Sequence, residues 1–143
     1  MTKNTIAALL FVLLVAPAGS QSPTSTAQTR MAAVKTFAFG GTGFAGITSE
    51  GELLFNQIMS EPPAQAMQDL ETIYATGNPQ AQAYALAGIR KLDRDRFRTL
   101  LHSARESHAA VEIMSGCVVD KISLKRLAGR IDAGRYDLWL YPR

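Results

Sequence analysis

Apolar residues recur at helical spacing over most of the chain. Leu54, Phe55, Ile58 and Met59 form one face of a helix that begins at Ser49 and is ended by Pro62 and Pro63. Ser49 supplies the N-cap, Glu52 stands three residues on as in a capping box, and Glu50 adds negative charge to the first turn. A second helix is expected over Pro63–Thr76. It carries Ala66, Met67, Leu70, Ile73 and Tyr74 on one face and Gln65, Gln68, Asp69 and Glu71 opposite, and Gly77 stops it. Asn78 and Pro79 open a third helix to Lys91 that is apolar nearly all round, which assigns it to the middle of a bundle. A fourth starts at Asp93, with Phe97, Leu100, Leu101 and Ala104 at i, i+3, i+4 and i+7.

From Ala109 the helical period is lost. Val111–Met114 alternates, Ser115-Gly116 is turn-like and Val118-Val119 is β-branched, so a short extended or β element is expected near 109–119. Ser123 caps a last helix, with Leu124, Leu127 and Ile131 on one face and a stop at Gly134. The tail alternates Tyr136, Leu138 and Leu140 against Asp137, Trp139 and Tyr141, which predicts an extended C-terminal arm docked on the core. The sum is a mainly α fold: a small antiparallel bundle of about five helices with one β element and one arm.

Composition changes the picture at the N-terminus. Lys3 precedes Ile6–Ala16, a charge-free apolar run, and small residues follow to Ser20. This predicts a signal peptide over residues 1–20, cleaved near Ala18 or Ser20. The run gives about 16 Å of helix against the roughly 30 Å of a bilayer, so no membrane span is expected in the mature chain. Residues 21–33 lack a run of large apolar side chains and read as a flexible leader, leaving residues 34–143 as a single helical domain. The expected location is secreted or periplasmic.

Charge is segregated along the chain. Residues 36–89 hold five acids and no Lys or Arg, whereas residues 90–143 hold 12 bases against 7 acids. The net charge of +3 is too small to imply nucleic-acid binding. Cys117 is the single cysteine, so an internal disulfide is excluded, and a Cys117-linked dimer is the one disulfide the chain allows.

Candidate chemistry is sparse. Gly41, Gly43 and Gly46 spell G-x-G-x-x-G, and FGGTGFAG resembles the opening of nucleotide-dependent short-chain reductases through Phe44, a likeness that implies dinucleotide binding. Pro62-Pro63 and a helix stand where the second strand and its acid belong, so no cofactor is expected. The same turn could instead meet an anion through its backbone with Thr42, Gly43, Thr48 and Ser49. Arg94 and Arg98, in a run interrupted by Asp93 and Asp95, are a second candidate for binding acidic groups. Cys117 with His102 or His108 would supply a thiol nucleophile and a base for a small thiol-dependent or hydrolytic enzyme. The two histidines are six apart, roughly 240° around a helix, so no metal site is expected.

Residues 62–105, with short turns, an alanine-rich member and an Asn-Pro entry, resemble a HEAT-type helical-repeat unit, which implies stacked helical hairpins. FGGTGFAGITSEGE, YALAGIR, SGCVV and YDLWL together resemble uncharacterised small exported bacterial proteins, a likeness that implies no activity. The function expected is that of an exported, non-enzymatic helical module binding a protein or an envelope component.

Overall fold

The computed structural model describes residues 23–141, so the signal peptide expected at residues 1–20 lies outside the described residues. Among the described residues the chain runs α1 (Pro23–Ala32), β1 (Gly41–Thr42), β2 (Ile47–Thr48), α2 (Glu50–Met59), α3 (Pro63–Thr76), α4 (Pro79–Leu92) and α5 (Arg94–Ala104). It continues with β3 (Ala110–Ser115), β4 (Val118–Ser123), α6 (Leu124–Asp132) and α7 (Asp137–Leu140). The fold is mainly helical, with two small antiparallel sheets, β1 with β2 and β3 with β4. No helix among the described residues is long and apolar enough to cross a membrane.

The central helix is α4, which contacts every other helix. Its Ala81, Ala83, Ala85 and Ala87 are fully buried, and these small side chains let α3, α5 and α6 approach closely. Ser49, Asn78, Asp93 and Ser123 each cap the helix they precede, accepting bonds from backbone N–H groups of the first turn. Glu52 does not complete the capping box. Its carboxylate accepts the Gly40 N–H at 2.9 Å, so the acid that marks the helix start in sequence instead ties α2 to the preceding segment.

Three expectations are corrected. Residues 23–32, expected as part of a flexible leader, form a helix, held by Ala27 and Met31, which are buried one turn apart. Its last carbonyl, that of Ala32, is satisfied at a distance by the Asn78 backbone N–H, and the Asn78 side-chain amide donates to the Val34 carbonyl just beyond the helix at 2.7 Å. The β element extends to Ser123 rather than 119, because Ala110–Ser115 pairs residue for residue with Val118–Ser123 about a two-residue turn. The C-terminal arm is a single helical turn, α7, so the described helices number seven rather than about five.

Residues 34–39 form an extended segment with Val34, Phe37, Ala38 and Phe39 buried. Phe37 bridges β3 in parallel, donating to the Glu112 carbonyl at 2.8 Å and accepting from Met114 at 3.0 Å. At Ala38 the backbone turns instead to the core. The Tyr84 hydroxyl of α4 accepts the Ala38 N–H at 2.9 Å and donates to the Ala38 carbonyl at 2.6 Å. Burial pushes the Tyr84 phenol up to about 12, so it keeps its proton and can serve both bonds.

Surface ion pairs such as Arg30–Glu50 at 2.7 Å and Arg105–Asp132 at 2.9 Å are half-exposed, and each contributes about 0–1 kcal/mol. Asp69 differs, being buried on α3 with Gln65 donating to one carboxylate oxygen at 3.0 Å and the other oxygen unpartnered. Burial raises its pKa above the ordinary 3.8, the Gln65 bond opposes this, and Glu61 adds to the rise. The folded chain therefore holds this proton more tightly than the unfolded chain. The contribution of Asp69 to stability falls as pH rises from the ordinary aspartate value through the raised one. Asp69→Asn is expected to flatten that dependence, with melting temperatures that vary less than the parent's between about pH 4 and pH 7. Parallel pH profiles for the two proteins would contradict this account.

Candidate functional site

The segment after Phe37 bridges next at Thr42, to Gly116 in the turn just beyond β3. Four residues on the segment, 38–41, thus run against two, 114 and 115, and the segment bows away from the strand, drawn by the Tyr84 bonds to Ala38. A pocket of about 370 Å³ lies beside the bow. Its walls are the segment at Phe37–Phe39, the end of β3 at Ile113–Ser115, and the C-terminal region from Arg130 to Trp139.

Aromatic rings line one side. Phe39 stacks on Trp139 with ring centroids 6.4 Å apart and planes at 20°, and Tyr136 meets the edge of Phe37 at 5.2 Å. Arg130 and Arg135 supply the charge. Burial raises the Tyr136 phenol, while the charge of Arg130, its hydrogen bond and the charge of Arg135 all pull the other way. The pocket therefore combines flat apolar walls with two positive groups, which suits a ligand having an apolar body and a negative end.

The region is held from below by Arg90, a buried guanidinium at the end of α4 that pairs with Asp137 in α7. Its Nε atom has no partner, and a second nitrogen lies 3.5 Å from the Asp132 carbonyl. Leu140, fully buried, anchors the same turn.

The residues singled out from sequence stand elsewhere. The glycine motif is a tight β1–β2 hairpin, with Gly40, Gly43 and Gly46 at φ of 82°, 69° and 62°. Its N–H groups are engaged inside the chain: Gly40 to Glu52, Gly43 to the Gly116 carbonyl at 2.8 Å, and Gly46 to the Gly43 carbonyl at 3.2 Å. Thr42 donates to Ile47, Thr48 sits exposed in β2, and Ser49 both caps α2 and donates to the Ala38 carbonyl. That turn is tied into the rest of the chain at Gly40, Gly43 and Ser49. Arg94 is exposed on α5, and Arg98 bonds Asp95 at 3.0 Å on the same surface.

Cys117 is exposed at the tip of the β3–β4 hairpin. His108 lies exposed before the start of β3, so the six residues of that strand, about 20 Å at roughly 3.3 Å per residue, stand between it and the thiol. His102 is exposed on α5 with Glu106 at 3.9 Å. His108 is therefore not placed to serve the thiol as a base. Among the described residues no group of three or more His, Cys, Asp or Glu is placed to hold a metal.

Sequence reasoning missed Arg130, Arg135, Phe37 and Phe39 as a set, although the expected docking of Trp139 and Tyr136 was a partial signal. The chain matches no family model, no curated protein and no solved structure.

Proposed function

We propose that this chain is an exported, non-enzymatic binding module that holds a protein or an envelope component through the pocket between Phe37–Phe39, β3 and the Arg130–Trp139 region. The observation that carries the reading is the composition of that pocket: stacked aromatic rings beside two arginines, in a volume of about 370 Å³. Arrangements of this kind orient a ligand by one or two polar contacts and hold it by apolar area. The placing of Cys117 and His108 beyond opposite ends of β3 supports binding over catalysis. Export rests on the charge-free run Ile6–Ala16 and the small residues up to Ser20.

The test is retention of an envelope component on the immobilised mature chain, compared with the Arg130→Glu/Arg135→Glu variant. The parent is expected to retain a component that the variant loses at an unchanged melting temperature. Equal retention by both, or by neither, counts against the reading.

A further inference from the structure

The two arginines are brought together by the way α6 ends. Gly134, at φ 75°, donates its N–H to the Ile131 carbonyl at 3.1 Å, and Arg135 donates its N–H to the Arg130 carbonyl at 3.1 Å. This 5→2 and 6→1 pair of bonds is the Schellman arrangement, which sets the first residue beyond the glycine beside the residue three from the helix end. Those two positions ordinarily carry an apolar pair. Here they carry Arg130 and Arg135, and both side chains face one pocket. Among the described residues neither forms an ion pair with a carboxylate, whereas Arg30, Arg90, Arg96, Arg98 and Arg105 each do. The backbone thus holds two like charges together without an internal counter-ion.

We propose that the pocket is a receptor for the free C-terminal carboxylate of a peptide ending in an apolar residue. This deepens the binding-module reading and rests on it. The guanidinium groups of Arg130 and Arg135 take the carboxylate, whose planar pair of oxygens matches a guanidinium fork. The rings of Phe39, Tyr136 and Trp139 take the terminal side chain.

Three features select this ligand. A carboxylate carries one charge and sheds its water at less cost than a phosphate dianion, which an aromatic-walled site would have to desolvate more severely. The volume is near the small end of the roughly 300–1,000 Å³ of ligand pockets, enough for a chain end and too little for a threaded segment. The rim also continues as an apolar surface. Ser115 lines the pocket and Gly40 packs against the indole of Trp139, and from them project the β1–β2 and β3–β4 tips, joined by the Gly43–Gly116 bond. Phe44, Ile47 and Val118 on those tips are exposed and would meet the residues that precede the chain end.

Trp139 is the single tryptophan, so its emission reports occupancy directly. The probe is a short acetylated peptide ending in Leu-Phe, titrated as the free acid and as the C-terminal amide. The free acid is expected to change Trp139 emission saturably, and the amide to bind about tenfold more weakly or worse. Arg130→Gln and Arg135→Gln, melting like the parent, should bind acid and amide alike, and Arg130→Lys should recover part of the difference. Equal binding of acid and amide by the parent would overturn the proposal, as would no response to either peptide or displacement by inorganic phosphate at the peptide's own concentration. If envelope retention still depends on the arginines in that event, only the ligand class falls. If it does not, the binding-module reading falls as well.

Discussion

Asp137→Ala is expected to lower stability by about 2–3 kcal/mol and to dismantle one wall of the pocket. The guanidinium of Arg90 is almost wholly buried, and among the described residues Asp137 is its only carboxylate partner. Removing one member of a buried pair leaves an uncompensated charge, at a cost of roughly 3–5 kcal/mol when both members are enclosed. Asp137 is 44% exposed, so water can follow the deletion inward and the lower figure applies. The melting temperature should drop on the order of 10 °C. Trp139 emission should move to longer wavelength, because α7 loses its tie to α4 and the indole leaves Phe39. Asp137→Asn, which keeps an acceptor without the charge, should fall between the two. A parent-like melt with unchanged emission would show that Leu140 alone holds α7.

Gly51→Ala tests a different contact and pits two effects against each other. Gly51 lies inside α2, where alanine would be favoured by about 1 kcal/mol on helix propensity. A Cβ there would stand 2.5 Å from the Tyr84 hydroxyl and 2.6 Å from its ring. Tyr84 has no room to yield, being fully buried and bonded to Ala38 on both sides. Overpacking costs about 1–3 kcal/mol, and disturbing the Ala38 bonds adds about 1 kcal/mol. The net expectation is a loss of about 2 kcal/mol by urea unfolding. In a Tyr84→Leu background most of the Gly51→Ala cost should vanish, because the atoms it strikes are gone. Additive losses in the double variant would place the clash elsewhere.

The helices whose ends carry their own chemistry were legible in the sequence. Ser49, Asn78, Asp93 and Ser123 accept from their own first turns, and the apolar stripes that follow are long enough to fix the period. α1 escaped because Ala27 and Met31 are a sparse apolar signal and its last carbonyl, that of Ala32, is met by Asn78, far along the chain. The tail misled for a related reason. Alternation of Tyr136, Leu138 and Leu140 reads as extended, yet Leu138 is exposed and Leu140 buried, because the turn after Gly134 and the Arg90–Asp137 pair wind the chain into one helical turn. The pocket was legible only in the expected docking of Tyr136 and Trp139. It joins residues near 38, 114 and 135, and what sets its shape is a hydroxyl on α4 pulling Ala38 away from β3.

The Phe37–Ile113 bridge has a consequence for how the protein is made. Its two sides have α2 to α5 between them in the chain, whereas α3, α4 and α5 pack through neighbours in sequence. At roughly 5–20 residues per second of synthesis, Phe37 and Phe39 emerge several seconds before β3 exists to receive them. The helical hairpins can close in that interval, since local contacts form fast and a long loop must close before the bridge contributes anything. The part of the pocket built on β3 is then assembled late, and a chain truncated before Ile113 would leave Phe37 and Phe39 uncovered on the sides that face β3 and the C-terminal turn, with Tyr84 and Phe55 still packed on their inner sides.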